Sequence, residues 1–283
     1  MQGKHVVITG PTAGIGRVCA LTFAELGASL TLLCRNASKA ESLVADIEAQ
    51  GCEKPQVIIM DMASLDSVRS AAEEILASSE QVDILLNNAG LVNTSRRVNV
   101  DGFEETFAVN HLAPFLLTGL LLPAIKKAAP SRIVNVASDA HQFVRGMGFD
   151  DLQAEQKYKT FTVYGRSKLA NILFTRELAA RLEGSDVTVN CLHPGAVATG
   201  IGKQNGGMMA TVLPALLKPF FRTPEKGAQT SIYLCTSDEV AGQSGGYYVN
   251  CKLTQPRRWA RDDQAAAELW SYSESALDFR YPE

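Results

Sequence analysis

Tyr164 and Lys168 stand four residues apart in a segment, Thr160 to Leu182, whose apolar residues recur with helical period. Residues so spaced share one helix face, one turn from each other. An unperturbed phenol, with a pKa near ~10, is a sluggish acid or base at neutral pH. A neighbouring ammonium favours the phenolate and brings that value toward the range where general acid–base catalysis is efficient. Such a pair suits a reaction that gives a proton to a carbonyl oxygen, or takes one from an alcohol, while a hydride moves at the carbon. Tyrosine and lysine at this spacing also occur on helix surfaces with no chemistry. The reading therefore depends on what else the chain supplies.

A second constellation supplies a place for phosphate. The apolar run His5–Thr9 ends in Gly10-Pro11-Thr12-Ala13-Gly14-Ile15-Gly16, and an alanine-rich helical segment follows. Glycines in such a turn allow a tight bend, a close backbone approach to a pyrophosphate and close packing of helix on strand. The helix N-terminus then favours the anion. The spacing is G-x-x-x-G-x-G, and glycines alone would also fit an ordinary strand–helix turn. The end of the second strand sharpens the choice of nucleotide. An acid there usually holds the ribose 2′-hydroxyl of NAD, but this chain has Cys34-Arg35-Asn36. A guanidinium matches phosphate in two-pronged geometry. Arg35, with Asn36 beside it, is thus the expected site of the 2′-phosphate of NADP(H); a solvated surface arginine is the competing reading.

These residues need a sheet edge to meet on. Strand-like and helix-like segments alternate throughout, which predicts an α/β fold: one Rossmann-type, doubly wound parallel sheet of about seven strands with helices on both faces. With no repeat or linker, residues 1–283 read as one domain, 1–136 mainly cofactor-binding and 137–283 catalytic and substrate-binding. The expected caps are Gly27, Ser38 with Glu41, Ser64, and Pro224 in the first turn of its helix. A long helix is expected from Asp101 to Lys127, bent near Pro114. A net charge of −3 argues against nucleic acid as a partner. The six cysteines form no C-x-x-C pair or zinc spacing, so no metal is expected and small buried thiols are. The apolar runs Leu112–Ile125 and Met208–Phe221 fall short of the ~20 residues a membrane span needs, so no transmembrane segment is expected.

Taken together, the motifs resemble the short-chain dehydrogenase/reductase family. The turn Thr9–Gly16, Asn87-Asn88-Ala89-Gly90, Asn110, Ser138, Tyr164-Gly-Arg-Ser-Lys168 and Pro194-Gly195 occur in the family's order. Within it, Cys34-Arg35, Ser138-Asp-Ala-His141, Tyr164 through Asn171 and His193-Pro-Gly195 resemble the retinol dehydrogenase-like branch. The resemblance implies a role for each. Tyr164 is the acid/base. Ser138 orients the substrate oxygen, Lys168 holds the nicotinamide ribose, and Asn110 kinks the long helix and positions a water. Asn88, Ala89 and Gly90 line the coenzyme floor, and Asn87 stitches strands. Asp61 and Met62 contact adenine, although Asp61 also suits a loop cap. Pro194, Gly195, Val197 and Thr199 flank the nicotinamide, and Thr12 and Ile15 touch the coenzyme. It also implies pairing through the long helices into a homodimer or homotetramer, which no pattern here decides. Membrane-bound members of the branch carry an apolar N-terminal anchor, and Met1-Gln2-Gly3-Lys4 is not one, so a cytoplasmic protein is expected.

The substrate side rests on two segments, His141–Thr160 with Phe143, Met147, Phe149 and Tyr158, and Gly200–Arg222 with Met208, Met209, Phe220 and Phe221. Flexible thioethers and aromatics suit an adaptable pocket for a small hydrophobic alcohol, aldehyde or ketone, and residues 200–222 suit a lid. Core packing or a membrane-touching surface would use the same residues. Reduction of an activated C=C bond, or a catalytically silent NADP(H) sensor, are the alternative functions.

Overall fold

A computed structural model describes residues 1–197 and 222–282. Eight strands form one sheet: β1 (His5–Thr9), β2 (Ser29–Cys34), β3 (Gln56–Ile59), β4 (Ile84–Asn87), β5 (Ser131–Val136), β6 (Val187–His193), β7 (Tyr247–Val249) and β8 (Lys252–Leu253). Their order is β3-β2-β1-β4-β5-β6-β7-β8. All pairs are parallel except β7–β8. The eighth strand goes beyond the expected seven. It arises because Asn250 and Cys251 both adopt positive φ, 52° and 59°, and turn a two-residue hairpin.

Near-continuous apolar runs make these strands buried on both faces. Val6 and Ile8 of β1 face one core, with α1 (Gly14–Glu25), α2 (Ala37–Ala49) and α7 (Pro224–Thr236). Val7 faces the other, with α3 (Leu65–Ser78), α4 (Glu105–Phe107), α5 (Ala113–Lys127), α6 (Thr160–Arg181) and α8 (Asp263–Leu277). The strand order reverses between β1 and β4, so a crevice opens beyond their carboxyl ends.

Gly27, Ser64 and Pro224 take their expected capping positions. The cap of α2 is Asn36, whose side chain accepts from the Lys39 N–H at 2.9 Å, and Ser38 lies inside the helix. The long helix begins at Glu105, not Asp101; buried Glu104 caps it by accepting from the Thr106 and Phe107 N–H groups. Its expected bend takes the form of a π-helical turn, Ala108–Leu112, between α4 and α5. Pro114 has no N–H to offer the Asn110 carbonyl, and the helix widens there. Glu105–Lys127 is long and apolar enough to cross a bilayer, and 89% of its most apolar stretch is buried inside the fold. α8 lies across α5 and α6. The Trp270 ring stacks under the Arg181 guanidinium at 4.2 Å and meets Phe115 edge-on at 4.9 Å, while the Tyr281 hydroxyl donates to the Phe115 carbonyl. The chain itself thus takes up part of the surface those long helices could offer a second copy.

Candidate active site

The glycine turn is built by its neighbours. Thr9, the last residue of β1, accepts the N–H groups of Asn88 and Ala89 on its hydroxyl, at 3.0 and 2.9 Å. Asn88 returns two bonds through Nδ2, to the Thr9 and Gly10 carbonyls. Gly10 holds φ +64°, and a Cβ on Gly16 would lie 2.3 Å from the Gly10 carbonyl oxygen. Only glycine fits there. Ala13 caps α1 with no side-chain acceptor, and the first turn carries no acid. The opening N–H groups of α1 are therefore left to an anion, which is what a dinucleotide phosphate requires. Thr12 is half-buried on the same turn, and Ile15 and Val197 converge on Gly227 of α7.

Arg35 is exposed at the end of β2. It has no ion-pair or hydrogen-bond partner among the described residues, whereas Asn36 spends its side chain on α2. Asp61 accepts the Ala63 N–H and its own N–H reaches the Ser67 hydroxyl, which shapes the loop into α3; Met62 is buried. Asn87 pairs with Asn135 across β4 and β5 at 2.9 Å, as expected of a strand stitch. Pro194 and Gly195 (φ +88°) form the turn after β6, and Val197 bridges to Arg222. Thr199 and the segment 200–221 lie outside the described residues.

Ser138, just past the end of β5, is half-buried and accepts the Ala140 N–H at 3.1 Å; its hydroxyl lies close enough to the Tyr164 phenol, on the first turns of α6, to lower that group's pKa. Lys168 is buried one turn on, with Nζ 5.9 Å from the Tyr164 ring centre. That ammonium donates to the Val136 carbonyl at 2.9 Å and would lie 3.4 Å from a Cβ on Gly90. The trio therefore adjoins the Asn88–Gly90 floor. Burial dominates its electrostatics. It pushes the phenol above its ordinary value, with the Ser138 hydroxyl pulling the other way, and pushes Lys168 down to about 8. The expected lowering of Tyr164 by Lys168 is thus not what this protein alone produces; both groups are driven toward neutrality.

Asn110 sits in the π-turn, fully buried. Its amide oxygen accepts the Leu91 N–H, and its nitrogen donates to the Leu91 carbonyl and the Ser167 hydroxyl. It reaches the site through Leu91 and Ser167. Of the residues expected to shape a substrate pocket, Met147 is buried in the core and Phe149 packs against it. The Tyr158 hydroxyl donates to the Asn93 carbonyl. Phe143 alone of these is widely exposed, edge-on to the exposed Phe161 at 5.9 Å. His141 is buried and bonds the Ser138 carbonyl. Thr9 and His193 carry site contacts, although sequence reading placed them only as members of the Thr9–Gly16 and His193-Pro-Gly195 motifs and gave neither a role of its own. A concavity of about 1130 Å³ opens at the opposite sheet edge near Asp83, Arg132 and Val187, and none of the candidate site residues lines it.

The chain matches the short chain dehydrogenase family over residues 4–209 and belongs to that family. It is 44% identical to human retinol dehydrogenase 14 over 97% of this chain and 86% of that one. Human retinol dehydrogenase 13 is 42% identical, over 100% and 87%. An uncharacterised protein from Mycobacterium paratuberculosis shares the architecture at a TM-score of 0.80 and 30% identity, covering 100% of this chain and 96% of that one. A Beutenbergia cavernae protein assigned as an NAD(P)-dependent gluconate 5-dehydrogenase, solved with bound NADP, superposes at a TM-score of 0.71 with 26% identity over 88% and 96%. The protein is an oxidoreductase of the CH–OH/C=O class, built on a nicotinamide-binding fold.

Proposed function

We propose that the protein is an NADP(H)-dependent oxidoreductase of hydrophobic alcohols, aldehydes or ketones, with Tyr164 as the general acid/base. The observation that carries this reading is the meeting of the Ser138 hydroxyl, the Tyr164 phenol and the Lys168 ammonium beside a glycine turn whose helix N-terminus awaits an anion. A bound nicotinamide would give or take the hydride. The protein does the rest. Ser138 holds the substrate oxygen against the phenol. Tyr164, kept protonated by burial, gives that oxygen its proton in the reductive direction. Lys168 holds the nicotinamide ribose, and its charge favours phenolate in the oxidative direction. Asn110 acts as a positioning residue for the loop after β4, and Pro194, Gly195, Val197 and Thr199 for the nicotinamide.

NADP(H) rather than NAD(H) is supported by Arg35, exposed at the end of β2, without a partner among the described residues and with no acid beside it in the sequence. A hydrophobic substrate is supported by the exposed Phe143–Phe161 pair on the two elements that carry Ser138 and Tyr164, and by the retinol dehydrogenase names of similar chains. The buried long helix favours a core helix over a membrane span. The test is a series of aldehydes and ketones of rising chain length, each assayed with NADPH and NADH by nicotinamide absorbance. Preference for long apolar carbonyls and for NADPH is expected; small charged substrates or equal use of NADH would reject it.

A further inference from the structure

Two buried imidazoles grip one peptide group, the one joining Ser138 to Asp139. Its carbonyl accepts from His141 Nδ1 at 2.7 Å. Its N–H donates to His193 Nδ1 at 3.1 Å. These bonds fix opposite ring tautomers. A carbonyl can only accept, so His141 must carry its proton on Nδ1. A backbone N–H can only donate, so His193 must leave Nδ1 bare and carry its proton on Nε2. The outer contacts agree. The Arg257 N–H points at His141 Nε2 from 3.5 Å, and Asp139 Oδ2 lies 3.2 Å from His193 Nε2. Asp139 is itself held by the buried Tyr247 hydroxyl at 2.9 Å.

We propose that His141 and His193 are positioning residues: as a neutral pair of opposite tautomers they lock the Ser138–Asp139 peptide plane and so aim the Ser138 hydroxyl at the substrate oxygen. His193 also leads directly into Pro194-Gly195. The clamp therefore ties the serine loop after β5 to the turn that flanks the nicotinamide after β6. The inference rests on the role given to Ser138 in the proposed function. A small misplacement of a group that orients reactants can cost up to ~100-fold in rate, whereas nucleotide affinity, held by the glycine turn, is untouched.

Protonation of His193 would place a second N–H against the Asp139 N–H and break the grip. The charged and titratable groups facing it are Asp139, which favours the imidazolium, and Arg222 and His141, which oppose it alongside burial. The balance holds His193 below its ordinary 6.5, so the clamp is intact at neutral pH and fails as pH falls through that lowered value.

The test has two arms. Nitrogen-15 spectra of the full-length protein, with four histidines assigned by single variants, should show His141 as the Nδ1–H and His193 as the Nε2–H tautomer. A proton on His193 Nδ1 at pH 7.5 overturns the clamp whatever the activity. The second arm is single-turnover reduction of a long-chain aldehyde by NADPH. His193→Phe should slow hydride transfer by ~10- to 100-fold with NADPH affinity changed less than ~3-fold. His193→Asn, which keeps an acceptor near the Nδ1 position, should recover most of the rate and lose the acid limb. Wild-type transfer in His193→Phe overturns the proposal. Tyr164→Phe run beside it separates the two ideas: activity there sinks the acid/base reading, while the ring tautomers still decide the clamp.

Discussion

The glycine turn and the proposed catalytic trio lie side by side on one sheet edge, yet opposite means build them. The turn is almost wholly backbone. Thr9, Asn88 and Ala89 interlock main chain with main chain, and Gly10 and Gly16 contribute by having no side chain. The trio is almost wholly side chain. Ser138, Tyr164 and Lys168 place one hydroxyl, one phenol and one ammonium where burial acts on their charges. The first region should be sensitive to volume and indifferent to charge, and the second the reverse.

The largest effect that sharpens this contrast belongs to Tyr164. Tyr164→Phe removes one oxygen and almost no volume. It should lower turnover by ~1,000-fold, within the range general acid–base groups supply, with NADPH affinity nearly unchanged in a fluorescence titration. A variant that keeps wild-type turnover would remove the phenol from the reaction. Gly16→Ala is the mirror experiment, adding one methyl and no polarity. Its Cβ would meet the Gly10 oxygen at 2.3 Å and the Asn88 amide at 2.5 Å, both parts of the interlock. Overpacking of that kind costs about 1–3 kcal/mol. It should appear as weaker NADPH binding together with a lower melting temperature, and unaltered binding would show the turn to be looser than its hydrogen bonds imply.

Lys168 gives a test in which losing a functional group should stabilise the protein. Burial holds its folded-state value at about 8, against 10.5 for the free side chain. The folded chain thus pays to keep the ammonium at neutral pH, and the difference corresponds to about 3 kcal/mol at most. The sign follows from proton counting. Below about pH 8 both states bind the proton and the penalty is complete; between about 8 and 10.5 the unfolded chain holds more protons, so wild-type stability rises with pH. Lys168→Met should therefore unfold at higher urea than wild type at pH 7, while losing activity on the proposed mechanism, with the gap closing toward pH 10. The Val136 carbonyl that loses the ammonium keeps Asn171 Nδ2 at 3.3 Å. A less stable variant would mean that the bond to Val136 outweighs the burial of charge.

The same division explains what could be read from the chain. Backbone devices leave short, local signatures. Gly10, Gly14 and Gly16 after an apolar run, and a proline near the middle of a long helix, announced the turn and the bend. Tyr164 and Lys168 were legible because helical spacing alone puts them on one face. Non-local contacts were not. That Asn36 rather than Ser38 caps α2 depends on where β2 releases the chain, a matter of two residues. Met147 and Phe149 look like pocket residues until the fold buries the first in the core and packs the second against it. The grip of His141 and His193 on one peptide joins residues 52 apart in the chain through the register of β5 and β6, in which Val136 pairs with Leu192. Nor could spacing foretell that burial would push the Tyr164 phenol up and Lys168 down, since that depends on how much water the folded site excludes.

The smallest expected effect tests whether the contrast extends beyond the turn. Arg35 sits where the backbone cradle ends, at the tip of β2, exposed and without a partner among the described residues. If it meets a 2′-phosphate, its bonds are charge-assisted but open to solvent, which limits their worth. Arg35→Ser should weaken NADPH binding by ~10-fold at low salt and leave NADH unaffected, because an exposed pair contributes on the order of 1 kcal/mol. Raising ionic strength should shrink the difference between wild type and variant, as screening does for exposed charges. Arg35→Glu should go further and favour NADH, since a carboxylate repels the phosphate and accepts from a ribose hydroxyl. Equal loss of both nucleotides in Arg35→Ser would assign the guanidinium to the shared part of the dinucleotide, and the preference for NADP(H) would then have to come from elsewhere in the loop.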